Sequence, residues 1–106
     1  MILVTVVSKN KVKIRLTDER WQHITASHKE IDERSFTKVT GVVENPDAVL
    51  KGDTGELLAV RKWSGKKMWV VVAYREVTLE DGFILTAYLT TGGKWLFKRE
   101  MVWTKT

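Results

Sequence analysis

Residues 57–91 read LLAVRKWSGKKMWVVVAYREVTLEDGFILTAYLTT, and the fold class turns on this stretch. Segments 57–63, 67–77 and 83–91 are rich in valine, tyrosine, tryptophan and threonine, the residues that fit a pleated, half-buried surface. Ser64-Gly65 and Leu79-Glu80-Asp81-Gly82 carry turn chemistry between them. Turns this short join strands that run in opposite directions, so the stretch predicts an antiparallel meander. Gly92-Gly93 ends the third strand, and 95–103 predicts one or two more.

Side chains alternate between the two faces of a sheet. With two-residue loops, one face carries Leu57, Ala59, Arg61, Trp63, Met68, Val70, Val72, Tyr74, Phe83, Leu85, Ala87 and Leu89, and belongs under helices. The other carries Leu58, Val60, Lys62, Trp69, Val71, Ala73, Arg75, Ile84, Thr86, Tyr88 and Thr90. If Asp81-Gly82 is the turn pair, Arg75 falls opposite Tyr88. Lys62, Arg75, Thr86, Tyr88 and Thr90 then gather at a polar end. Such a set suits an ordinary solvated face, and it equally suits a grip on phosphate.

Upstream, 2–7 (ILVTVV) reads as a strand, 8–11 as a polar turn and 12–16 as an alternating strand. Thr17 is a good N-cap, and Asp18 and Glu19 fall in the first turn, where the helix dipole favours acids. This predicts a helix from there to about Lys29. Trp21, Ile24 and His28 share one face of it, with Arg20, His23 and Ser27 on a more polar flank. Asp32 is placed to cap a second helix over 33–44, with Phe36, Val39 and Val43 as its stripe. Asn45-Pro46-Asp47 stops that helix, because proline disfavours helical backbone at the residue before it. The expectation is one α+β domain over 1–106: N-terminal strands and two helices, then a roughly four-stranded antiparallel sheet.

The net charge is +5, from 18 Lys and Arg against 13 Asp and Glu. That balance favours polyanions, RNA and DNA before acidic proteins. There is no cysteine, which excludes disulfides, thiolate metal sites and cysteine nucleophiles and makes the cytoplasm the default compartment. The apolar runs are too short to span a bilayer, and no secretory signal pattern is visible.

His23 and His28 are the only two histidines. Five residues apart on a helix, they diverge by roughly 140°, whereas a helical zinc pair needs i, i+4 spacing and a third ligand. No metal site and no cofactor is expected. What remains is general acid–base chemistry with cations stabilising a phosphate, which is what cleavage of RNA by its own 2′-hydroxyl needs. Histidine suits either proton role near neutral pH. Each has a second reading, His28 as a packed residue of the apolar stripe and His23 as a surface residue. Among the five tryptophans, Trp21 and Trp69 read as core, while Trp63, Trp95 and Trp103 stay open between core and base stacking.

The run Leu16-Thr17-Asp18-Glu19-Arg20-Trp21-Gln22-His23-Ile24, then His28-Lys29-Glu30, Asn45-Pro46-Asp47 and Thr86-Ala87-Tyr88 resembles a phage- and toxin-associated nuclease family of the barnase–EndoU–colicin–RelE-like (BECR) fold. The resemblance covers most of the chain in order. It implies N-terminal helices on a four-stranded antiparallel sheet, and metal-independent ribonuclease activity, often as a toxin opposed by an antitoxin. His23, His28, Thr86 and Tyr88 fall at its matching positions. Lys29 stands where members often carry proline. With Arg75 and the other face residues added, the expected catalytic set is His23, His28, Arg75, Tyr88 and Thr86. Arg20, Lys62 and Thr90 are expected to bind substrate, with RNA and a cognate antitoxin as partners and no membrane. A non-catalytic module binding nucleic acid or protein is the alternative. The two differ in geometry, since a nuclease needs a histidine close to Arg75 or Tyr88.

Overall fold

Ile2–Val7 (β1) and Lys13–Thr17 (β2) pair as an antiparallel hairpin. Asp18–Ser27 (α1) follows β2 without a spacer, and the Thr17 hydroxyl accepts the Arg20 N–H at 3.2 Å, as its capping role requires. Phe36–Glu44 (α2) comes next, then Ala48–Lys51 (β3), Leu57–Lys62 (β4), Trp69–Glu76 (β5), Asp81–Thr90 (β6), Gly93–Leu96 (α3) and Met101–Thr104 (β7). This computed structural model describes residues 1–63 and 67–105, so the expected Ser64-Gly65 turn lies outside the described residues.

The protein is α+β. Among the described residues seven strands form one mixed sheet in the order β1-β2-β6-β5-β4-β3-β7. The sheet therefore extends beyond the expected four or so strands. β3 to β6 are antiparallel neighbours, and the single parallel junction joins β2 to β6, with Ile14 opposite Gly82. No helix among the described residues is long and apolar enough to cross a membrane.

One face is packed under α1 and α2. Trp21, Ile24, Val39, Val42 and Val43 from the helices meet Ile14, Ala59, Val70, Val72, Tyr74, Ile84 and Ala87 from the strands. Trp21 also donates to the Glu33 carbonyl at 2.8 Å and meets Phe36 edge-on. A smaller cluster on the other face joins Ala48, Leu50, Leu58, Val60, Val71 and Ala73 to Leu96 of α3.

Several expectations need correction. α1 ends at Ser27 rather than near Lys29, and α2 starts at Phe36 rather than 33. Asp32 caps a turn instead of the helix, its carboxylate accepting the Arg34 N–H at 2.8 Å. Segment 48–51, for which no element is predicted, is a strand between β4 and β7, buried at Ala48, Val49 and Leu50. Segment 95–103 is a helical turn and one short strand, because the Trp95 and Leu96 N–H groups bond back to Gly92. Asp81 and Gly82 belong to β6 rather than to the turn, since the Val77 and Thr78 N–H groups both close on the Asp81 carbonyl. Arg75 consequently lies opposite Phe83, and Tyr88 lies opposite Val71. A bulge between Ala73 and Tyr74 puts Ile84 on the helix-covered face and Leu85 on the other, the reverse of the alternation expected there.

Candidate functional site

β2 accompanies β6 only through the pairs Lys13–Asp81, Ile14–Gly82 and Arg15–Phe83. Further along, the β6 edge is met by the segment that leaves α1. The Leu89 N–H donates to the Glu30 carboxylate at 3.3 Å. His28, the C-cap residue, donates its N–H to Ile24, at 2.8 Å, and departs from the helical path. Its ring then lies against Tyr88, with centroids 5.9 Å apart and planes 34° from parallel. Its Nδ1 is 3.6 Å from Glu30 Oε2, and a third of the side chain (33%) stays exposed. His28 is therefore neither a core residue nor remote from the second face. It wraps the sheet edge and touches the tyrosine on that face.

Tyr88 also lines a shallow groove of about 240 Å³ with Thr90, Gly92, Trp95, Leu96 and Arg99. The groove exists because the chain crosses the second face between β6 and β7, which pairs with β3 at the far edge of the sheet. Leu96 anchors the crossing in the smaller core, and Phe97 packs edge-on against Trp69 at 4.9 Å. Gly93 sits so near the Trp69 indole that a Cβ there would come 2.8 Å from Nε1. Arg99 follows, its guanidinium bonded to the Asp53 carboxylate at 2.8 and 3.3 Å and to the Lys51 carbonyl at 3.4 Å.

Electrostatics around Tyr88 are mixed. Burial pushes its phenol above the usual value, nearby Arg99 pulls it down, and Glu56 pushes it up. The net direction is upward, so Tyr88 is a neutral hydrogen-bond donor at physiological pH rather than a base. Hydrogen bonds and charge from Arg99 hold the Asp53 carboxyl below the ordinary carboxylate range. The Glu56 carboxyl is also held low, first by the Thr54 backbone N–H, which it accepts at 2.8 Å.

The structure brings together part of the expected site. His28 and Tyr88 touch, and Thr86, Tyr88 and Thr90 are spaced along one strand. Arg75 is displaced toward the β3–β4 turn, where its Nη1 donates to the Thr54 carbonyl at 3.1 Å. Lys62 pairs with Trp69, which pairs with Thr90, placing the lysine two strands away from β6. Arg20 borders a separate groove with Arg15, Thr17, Phe83 and Ile84, and His23 is exposed on α1. The sequence reading missed Arg99 and left Trp95 undecided. Their signal was the run Lys94-Trp95-Leu96-Phe97-Lys98-Arg99, in which Trp95 and Arg99 stand four apart and come close together in a helical turn, whereas a strand would hold them on one face but far apart. Among the described residues no group of three or more His, Cys, Asp or Glu is placed to hold a metal ion.

No protein-family model, curated protein or solved structure matches this chain.

Proposed function

We propose that this protein is a small metal-independent endoribonuclease of toxin type and of BECR kind. The observation that carries the reading is the His28–Tyr88 contact beside the Arg99 groove. It joins a group able to move protons near neutral pH to a neutral phenol donor and a guanidinium. On this reading the 2′-oxygen attacks the adjacent phosphorus while the bond to the 5′-oxygen breaks. His28 takes the proton from the 2′-hydroxyl, solvent water protonates the departing 5′-oxygen, Tyr88 and Thr90 orient the phosphate, and Arg99 stabilises the charge that builds on it. Arg75 and Thr86 extend the polar face, and Lys62 serves a flanking phosphate. The order of elements supports the same reading, since α1 and α2 precede and cover the antiparallel neighbours β3 to β6. RNA and a cognate antitoxin are its partners, and a chain without cysteine suits the reducing cytoplasm.

Incubation of the pure protein with mixed RNA in EDTA tests the proposal. Wild type cleaves. His28→Ala slows cleavage by ~10²–10⁴-fold, the range for losing a general acid or base, and exposed His23→Ala leaves the rate near wild type. Intact RNA, or equal cleavage by wild type and His28→Ala, refutes it.

A binding module without turnover is the second reading. Its support is that Arg99 is engaged by Asp53, Arg75 by the Thr54 carbonyl, and His28 lies beside Glu30. It predicts salt-sensitive RNA retention with the strand left intact.

A further inference from the structure

Trp95 has no packing role that accounts for it. It is 75% exposed, beside Leu96, which is buried at 6%. A tryptophan left in water forgoes a large apolar burial, so its position on the rim of a polar groove calls for an occupant. Cations stand near Trp95, one of them, Arg99, paired with the Asp53 carboxylate at 2.8 Å. Lys98 Nζ lies 4.2 Å from its ring centroid, Arg99 lines the same groove, and Lys94 precedes it in the chain. An apolar peptide finds little to match a lysine on the indole and an arginine in the same groove, whereas a polynucleotide brings both a flat π-face and phosphates.

We infer that Trp95 is a stacking platform for one unpaired base of an RNA strand, with Arg99 and Lys98 taking the phosphates on either side. The inference rests on the ribonuclease reading for the identity of the strand, and it names the form that strand takes. A duplex keeps its bases stacked on each other and presents no free face to an indole, so the groove selects single-stranded RNA. The base lies on the ring face opposite Lys98. It sits across the groove from Thr90 and Tyr88, which places the neighbouring phosphate toward His28. Trp95 touches substrate but moves no proton, so it is a binding residue that selects unpaired substrate.

The test uses a short fluorescein-labelled 2′-O-methyl oligouridine, which stays unpaired and lacks the nucleophile for self-cleavage, with anisotropy as the readout. Trp95→Ala is expected to weaken binding ~10-fold, the size of one lost base stack, and Trp95→Phe, which keeps a ring, to bind nearly as wild type. Leu79→Ala, removing another strongly exposed apolar side chain (90%) at the β5–β6 turn, should bind as wild type. A duplex of equal length should bind the wild type and Trp95→Ala alike. Equal affinity of wild type and Trp95→Ala for the oligouridine overturns the inference, as does an equal loss on the duplex, which would make Trp95 a general contact. Since 2′-O-methyl RNA reports binding alone, a Trp95 effect without cleavage of ordinary RNA keeps the stacking site and removes the nuclease. Cleavage without a Trp95 effect does the reverse.

Discussion

Two tyrosines in adjacent strands of one sheet have different roles because of how far each is removed from water. Tyr74 is 1% exposed in the main core, and its phenol is driven well above the ordinary value, first by burial and then by the Glu76 charge. The unfolded chain ionises at about pH 10 while the folded one holds its proton. Its protonated form thus supports the fold fully below about pH 10, and that support is lost as pH rises from there toward the folded value. Absorbance at 295 nm should show Tyr74 ionising only together with alkaline unfolding, and Tyr74→Phe should move that unfolding to higher pH. A reversible titration of both tyrosines near pH 10, with the fold intact, would contradict the assignment. Tyr88, less buried and beside Arg99, stays a neutral donor through the physiological range. At this scale the sequence was informative. Alternation placed Thr86, Tyr88 and Thr90 on the second face, and motif order singled out His28. Yet the helical wheel alone set His28 in the apolar stripe, and only the end of α1 at Ser27 releases its ring toward Tyr88.

The elements owe their arrangement to a few close approaches. At Gly82, in the parallel β2–β6 junction, a Cβ would meet the Arg75 carbonyl oxygen at 2.2 Å and Ile14 Cδ1 at 2.8 Å. Backbone cannot step aside as a flexible side chain does. Gly82→Ala should therefore cost about 2–3 kcal/mol, the upper range for overpacking, read as a lower urea midpoint with an unchanged slope. An unchanged midpoint would mean that the strands separate there more easily than described. The β1–β2 turn is tied to the same end of the sheet by Glu76, which accepts from the Ser8 hydroxyl at 2.6 Å and from the Asn10 amide at 2.9 Å. Strands β1, β2, β4, β5 and β6 and helix α1 were legible because each carries its own period or cap. β3 was not, since Ala48-Val49-Leu50 is a short run buried on both sides with no alternation. α3 was hidden because Trp95, Phe97 and Met101 look like strand residues, while the Gly92 carbonyl draws the chain into a helical turn.

For the whole molecule, the charge of +5 matters through where it stands. With Lys94, Lys98 and Arg99 each neutralising one phosphate, affinity for single-stranded RNA should fall about 20-fold between 50 and 200 mM salt, from a slope of about −0.7 per phosphate. Replacing all three by glutamine should flatten that dependence, and a slope unchanged by the replacement would place the contacts elsewhere. Composition, charge, the α+β class, the first helix with its cap and the face occupied by Tyr88 all follow from the sequence, because propensity, capping and alternation act over a few residues. The parallel β2–β6 pairing, the bulge that shifts register in β6, the crossing that carries Trp95 and Arg99 over the second face, and the approach of His28 to Tyr88 were decided by tertiary structure. All but the bulge join segments far apart in the chain, the bulge answers to packing on both faces of its hairpin, and the packing that selects among such arrangements is a property of the assembled core, which no local pattern encodes.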